Sequence, residues 1–353
     1  MTARVVLLGY GLAGRVFHAP LIGAEPDLDL AAVVTANPER QAQVRADLPG
    51  VDILSTAEEA WAYDADLAVI ATANSAHVPQ TTAALNAGMH VVVDKPLAGS
   101  ASQAQALIDL AAEHGRQLHV FQNRRWDSEI LTARSAIDNG LIGSPHRLES
   151  RFERWRPTPK GGWREEGPAE DLPGLLYDLG AHLVDQALHL LGPVDRVFAS
   201  VRRVRAGATA DDDTQILLEH VSGAVSILSV SSASAFNGPR LRLLGTGGGL
   251  WIDSLDTQED ALREGRLPGD ERWGEEADDA LIVTGTEPPR PLPRERGNWA
   301  AYYRGVAASL HGESAPPVDP RDVVQDLRVI EAAHESGRSG IAVVLDPPAA
   351  HVE

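Results

Sequence analysis

The sequence predicts two domains: an α/β domain with a doubly wound parallel sheet, then an α+β domain with an open, mostly antiparallel sheet. Three observations predict this. Short continuous apolar runs alternate with amphipathic stretches through the first third of the 353 residues, and such runs suit strands buried on both faces of a parallel sheet. A glycine-rich turn follows the first run, at Gly9. Beyond about residue 122 the runs give way to polar–apolar alternation, the mark of strands with one face buried. The boundary is therefore placed so that residues 1–122 and 123–353 form the two domains.

In the first domain, residues 4–8, 28–34, 67–70, 90–93 and 117–120 read as strands. The clearest helix spans 100–114, where Ala104, Leu107, Ile108 and Ala111 recur at helical spacing before Gly115. A helix over 128–139 stops at Gly140, and strands follow at 147–155, 194–204, 214–220, 224–231 and 241–244. The proline-rich stretch 287–293 reads as a loop. The acidic stretch 253–279 reads as a solvated loop as well, by the usual meaning of a charge run.

Composition excludes several classes. Hydrophobic residues make up 43% and charged residues 23%, a globular profile. A net charge of −19 is wrong for a nucleic-acid binder. No apolar run approaches membrane-spanning length, no signal-peptide layout is visible, and there is no cysteine for disulfide or thiolate chemistry. No metal site is expected, and the cytoplasm is the expected compartment. Lysine and arginine total 31, of which only Lys95 and Lys160 are lysines. A lysine kept in such a chain points to a role that needs a compact ammonium.

The turn Gly9-Tyr10-Gly11-Leu12-Ala13-Gly14 matches G-x-G-x-x-G between a strand and a helix. In that context Gly9 permits the turn, Gly11 admits a pyrophosphate and Gly14 packs helix on strand. The helix N-terminus adds a positive partial charge for the anion. A dinucleotide is thus expected here. NAD sites place an acid at the end of the second strand; this chain has neutral Thr35 there, followed by Asn37 and then Arg40 in the next helix. Arg40 can meet a 2′-phosphate, so NADP is the expected cofactor. NAD remains the alternative, with Glu39 turned to the ribose.

Asp94-Lys95-Pro96 ends a strand on the edge where open α/β sheets bind ligands. The X-Pro bond biases the chain towards a turn or cis geometry. Farther on, Asp178 and His182 lie four apart at the start of a helix that ends at Gly192-Pro193, and so share one face. A histidine held by a carboxylate is a general base for an alcohol proton. Asp178 as a cap and His182 as a satisfied polar residue is the structural alternative; beside Lys95 and a dinucleotide fold, the catalytic assignment is preferred.

With these residues in view, the chain resembles the Gfo/Idh/MocA (glucose–fructose oxidoreductase / inositol dehydrogenase) family over nearly its whole length. The resemblance runs through residues 9–14, the loop Ala71-Thr72-Ala73-Asn74-Ser75-Ala76-His77, Asp94-Lys95-Pro96, Asn123-Arg124-Arg125-Trp126-Asp127 and Asp178…His182. Phe17-His18-Ala19-Pro20 and Gly162-Trp163-Arg164-Glu165 look most like the branch of NADP-dependent scyllo-inositol dehydrogenases. The resemblance implies a Rossmann domain, an open-sheet domain through which subunits pair as a homodimer or homotetramer, and hydride chemistry on a small-molecule polyol or sugar. It implies that Lys95 orients the substrate hydroxyl and that Asp178 and His182 transfer its proton. Thr72, Asn74, His77, Asp94, Asn123, Trp163 and Arg164 are implied around the nicotinamide, with Asn123 also against substrate. Many relatives have Glu where this chain has Asp94, which alters reach but not charge. Two other functions compete: a non-catalytic cofactor-binding sensor, and reduction of an imine or tetrapyrrole. Intact Lys95, Asp178 and His182 weigh against the sensor.

Overall fold

The computed structural model describes residues 2–346, less the Trp163 side chain. Its chain divides into two compact units: residues 1–126, 257–273 and 298–324, and residues 127–256, 274–297 and 325–353. A single cut at 122 therefore does not describe the packing, because two later segments return to the first unit.

The first unit is built on six parallel strands: β1 (Ala3–Leu8), β2 (Leu28–Val34), β3 (Asp52–Leu54), β4 (Leu67–Ile70), β5 (His90–Asp94) and β6 (Leu118–Phe121). Their order is β3-β2-β1-β4-β5-β6, the doubly wound arrangement with its switch point between β1 and β4. β4 is buried along its whole length, as its unbroken apolar run demands. β3 escaped the sequence reading: three residues with a polar first position carry no periodicity. Helix Ala101–Glu113 starts where Ser100 accepts the Gln103 N–H, and buries Ala104, Leu107 and Ala111. Helix Ala300–Leu310 belongs to this unit too, with Tyr302 set edge-on to Phe121 at 5.0 Å and to Trp126 at 5.8 Å.

The second unit holds a nine-stranded sheet of β7 (Pro145–Glu153), β8 (Val194–Arg202), β9 (Asp213–His220), β10 (Val225–Ser231), β11 (Leu241–Gly245), β12 (Gly248–Ile252), β13 (Ala280–Thr284), β14 (Arg290–Leu292) and β15 (Val343–Val344). The order is β14-β13-β12-β11-β7-β10-β9-β8-β15. Only β7 and β10 run parallel; the other neighbours are antiparallel. One face is covered: Val197, Leu218, Ser226, Leu148, Leu243, Leu250 and Ile282 form a buried row from β8 to β13, with helix Ala181–Leu191 on β7 and β10. On the opposite face the row Phe198, Leu217, Ile227, Glu149, Arg242, Trp251, Leu281 keeps Phe198, Leu217, Trp251 and Leu281 exposed.

Two loop readings need correction. The stretch 287–293 contains β14, which pairs with β13. Its Pro291 is tolerated because β14 is the edge strand, where a missing N–H breaks no further ladder. The acidic stretch 253–279 is also structured. Helix Gln258–Arg263 lies within it, Glu259 is paired with Arg124 and Arg263, and Arg294 meets Asp278 at 3.2 Å. Arginines, not water alone, absorb that charge. Among the described residues no helix is long and apolar enough to cross a membrane.

Candidate active site

Each glycine of the first turn has a different physical task. Gly9 has φ +95°, and a Cβ there would lie 2.6 Å from the Ala71 carbonyl oxygen, so both conformation and space demand glycine. A Cβ on Gly14 would lie 2.0 Å from the Gly9 carbonyl oxygen; this glycine is packing. Gly11 faces open space, and the only atoms near a Cβ there belong to the Arg40 guanidinium, at 3.8–4.0 Å. The backbone is thus left bare where a pyrophosphate would approach, with a cation beside it. The first helical turn, Ala13–His18, is a wide π turn that runs into Ala19–Gly23; Leu12 before it is 40% exposed.

Arg40 is held at this place by its helix, Pro38–Asp47, whose N-cap Asn37 accepts the Glu39 and Arg40 N–H groups at 2.9 and 3.1 Å. The Asn37 side-chain oxygen therefore serves as a cap. Thr35 is buried; its hydroxyl oxygen stands 3.4 Å from the Asn37 N–H and its carbonyl accepts from the Gln41 side chain. Arg40 is exposed and has no acidic partner among the described residues. Tyr10 differs from expectation: its ring is buried and its hydroxyl points to Asp47 at 3.2 Å. Burial, then the Asp47 charge, raises the Tyr10 pKa, so only its backbone is left for a cofactor.

On the same C-terminal edge of the sheet, Thr72 donates its hydroxyl to Gln80 at 2.8 Å, and Asn74 opens helix Asn74–Asn86. His77 turns inward and its Nδ1 donates to the Pro96 carbonyl at 2.7 Å. It is buried, which lowers its pKa, and it braces the Lys95 turn. The Lys95–Pro96 bond is cis, and the Asp94 carboxylate accepts the Lys95 backbone N–H at 2.8 Å. Burial opposes ionisation of Asp94, but His18, Lys95 and His77 outweigh it and hold the pKa below the ordinary value. His18 lies 3.9 Å from Asp94, and its other nitrogen meets the Tyr303 hydroxyl at 2.6 Å. The short side chain of Asp94 is matched by a histidine that reaches towards it. Buried Asn123 begins the turn Asn123–Trp126 after β6. The sequence reading did not single out His18 and Tyr303 as support for Lys95; they lie 285 positions apart.

In the second unit, Asp178 lies in a π turn, Leu176–Gly180, that leads into helix Ala181–Leu191 with His182 in its first turn. A plain α-helical start was expected. His182 is buried, and the Asp178 carboxylate meets the Arg164 guanidinium at 3.4 Å. Arg164 thus stands at the proposed catalytic pair in its own unit. Trp163 begins the short helix Trp163–Glu166; its expected place on the nicotinamide lies outside the described side chains. The N-terminal N–H groups of the π turn are satisfied from a distance. Asp211 accepts the Leu176 N–H on its side chain at 2.8 Å and the Leu175 N–H on its carbonyl at 3.0 Å. Burial raises the Asp211 pKa to about 6. Farther along the helix, Gln186 accepts from Arg240 at 2.9 Å, and Arg240 also pairs with Glu129 at 2.8 Å.

The residues fit a dinucleotide. Glycine backbone with no Cβ in the way, a helix N-terminus and Arg40 surround one opening, the donor set that a pyrophosphate and a phosphomonoester require. Among the described residues no group of acids and histidines could hold a metal ion.

Comparison with known proteins agrees with the two-unit fold. Residues 3–122 match the model of an oxidoreductase family with an NAD-binding Rossmann fold, and residues 130–251 match the GFO/IDH/MocA C-terminal domain. The chain is 34% identical to scyllo-inositol 2-dehydrogenase (NADP(+)) IolW of Bacillus subtilis, covering 98% of this chain and 96% of that protein. It is 37% identical to the uncharacterized oxidoreductase YdgJ of Escherichia coli, covering 95% and 96%. A crystal structure of an NAD-binding protein from Listeria innocua superposes with a TM-score of 0.80 at 26% identity, covering 98% and 97%.

Proposed function

The chain belongs to the GFO/IDH/MocA family of NAD(P)-dependent oxidoreductases, and from that premise we propose that it is an NADP-dependent dehydrogenase of a polyol or sugar. The observation that carries the cofactor choice is Arg40: its guanidinium flanks the bare backbone of Gly11, and Thr35 stands where an NAD site has an acid. The relative IolW, named for NADP(+) and scyllo-inositol, supports the same choice.

The residues would divide the work as follows. Gly9, Gly11 and Gly14 with the Ala13 helix would hold the pyrophosphate, and Arg40 the 2′-phosphate. The bound nicotinamide supplies the hydride acceptor or donor. Lys95, braced by Asp94 and His77, orients the substrate hydroxyl. His182 takes the hydroxyl proton as the carbon–hydrogen bond breaks, and Asp178 favours the charged imidazole. Arg164 sets a positive charge against the Asp178 carboxylate at 3.4 Å.

An NADPH-absorbance assay over inositols, aldoses and their keto forms tests this reading, run with both cofactors and with Arg40→Ala. The expected outcome is turnover of at least one member with NADP favoured, and a loss of about ten- to hundredfold of that preference in Arg40→Ala. Equal use of NAD and NADP, or an unchanged preference in the variant, sinks the NADP assignment.

The exposed row Phe198, Leu217, Trp251 and Leu281 supports assembly through the open sheet face, because a broad apolar face on a sheet invites a partner. We expect a homodimer or a dimer of dimers; light scattering that reads 37.7 kDa at micromolar concentration contradicts it.

A further inference from the structure

Past Glu153 the chain stays beside the end of β10: the Arg154 and Arg156 N–H groups donate to the Ser231 and Ser232 carbonyls at 2.9 and 2.8 Å, and Trp155 forms an isolated bridge with Ala233. Alternation along this strand puts Leu148, Ser150 and Phe152 on the covered face of the sheet. Beyond it Trp155 is exposed, whereas Arg154 and Arg156 on either side of it are half-buried. The Leu176–Gly180 turn packs against the neighbouring strand β10. Arg154 is accordingly within electrostatic reach of Asp178, Glu165, Arg156 and Arg205.

Most of the charge here is already matched. Arg205 donates to Asp212 at 2.8 Å and to Glu165 at 2.9 Å. Glu165 is further occupied by the Lys160 and Gly161 N–H groups. Arg164 stands on Asp178. Two guanidiniums are left over. The Arg154 Nε is shut off from solvent with no acceptor, and neither the Arg154 nor the Arg156 side chain has a hydrogen-bonded or ion-paired partner among the described residues. Burial, then the neighbouring Arg156 charge, lowers the Arg154 pKa; Asp178 and Glu165 push the other way and do not prevail. A half-buried guanidinium without an acceptor is costly in a folded protein, and its planar fork matches the two oxygens of a carboxylate or phosphate.

We propose that Arg154 and Arg156 form an oxyanion subsite beside Asp178, and that the substrate is a polyol or sugar carrying a carboxylate or phosphate. This rests on the reading that Asp178 and His182 mark the reacting alcohol. It narrows the substrate class: the anionic group anchors one end of the molecule while a secondary hydroxyl is presented to His182.

The test has two arms. In the first, kcat/KM with NADP is compared within matched sets: myo-inositol and D-glucose as neutral members, D-glucuronate and D-gluconate as carboxylates, D-glucose 6-phosphate as the phosphate. One anionic class should exceed the neutral members by at least about tenfold, and which class does so identifies the group. Arg154→Gln should reduce that anionic-over-neutral ratio by about ten- to hundredfold, mainly through KM, as expected for a lost charged hydrogen-bond pair. Arg154→Lys, which keeps the charge without the fork, should fall between. In the second arm, D-glucuronate, D-gluconate and inorganic phosphate are titrated in thermal-shift measurements without turnover. At least one should raise the Tm of the wild type, and the rise should shrink in Arg154→Gln and Arg156→Gln.

Neutral members equal to or better than the anionic ones overturn the proposal. So does an identical anion-induced Tm rise in wild type and variants. Weakening of NADPH binding in Arg154→Gln to the same degree as anion binding overturns it too, by assigning the subsite to the cofactor. Absence of turnover on every member would sink the dehydrogenase reading alone, because the thermal-shift arm still decides the subsite.

Discussion

The glycine cradle at residues 9–14 and the helix start at residues 176–182 are both expected to serve the reaction, yet they are specified in opposite ways. The cradle is set by what is missing. Gly9 and Gly14 have no room for a Cβ against the Ala71 and Gly9 carbonyl oxygens at 2.6 and 2.0 Å, and both demands are met within the turn by leaving a side chain out. The helix start is set by what arrives from elsewhere: Asp211 on the Leu176 N–H and Arg164 on Asp178. A site defined by local backbone is written in a contiguous motif. One defined by distant side chains is not.

That contrast marks how far the sequence could be read. All strands of the first unit but β3 were legible in their alternation, and the dinucleotide cradle in its spacing, because strand burial and a tight turn are local demands. Lys95 stood out by its rarity among arginines. Asp178 and His182 were singled out by their spacing, but the π turn that carries Asp178 was not, since the Asp211 carboxylate that accepts the Leu176 N–H lies 35 positions on. Tyr10 was placed on the cofactor by motif position alone; its ring turned inward because Asp47 and the core accept it. The loop readings at 253–279 and 287–293 failed for a similar reason. Arg124, Arg263 and Arg294 neutralise the acids, and β13 supplies a partner for a strand too short and too proline-rich to declare itself.

A paired substitution sharpens the comparison. Gly14→Val forces side-chain atoms into the Gly9 carbonyl and should weaken NADPH binding by more than about a hundredfold, read by fluorescence titration. Asp211→Ala removes the anchor of the π turn and should lower kcat by about tenfold while NADPH binding stays within about twofold of wild type. Asp211→Asn, whose amide oxygen can still accept the Leu176 N–H, should restore kcat to within about threefold. The folded-state pKa of Asp211, about 6, lies above the ordinary value of 3.8, so the ionised form is disfavoured in the folded protein. Wild-type stability should therefore rise as pH falls from above 6 towards 4, and Asp211→Asn should lose that rise. If Asp211→Ala impairs NADPH binding and Gly14→Val does not, the division between the two regions is wrong.

The most direct measurement of the central claim is the kinetics of His182→Ala beside Lys95→Ala on the best substrate found, with NADPH affinity measured on the same preparations. Proton transfer by a positioned residue contributes on the order of 10²–10⁴ in rate. Both variants should therefore lose at least about a hundredfold in kcat and bind NADPH about as tightly as wild type, because the cradle is untouched. In the oxidation direction the wild-type kcat should fall at low pH, as a protonated His182 cannot accept the hydroxyl proton, and the residual activity of His182→Ala should lack that fall. Near-normal kcat in either variant would contradict the assignment of proton transfer to these residues.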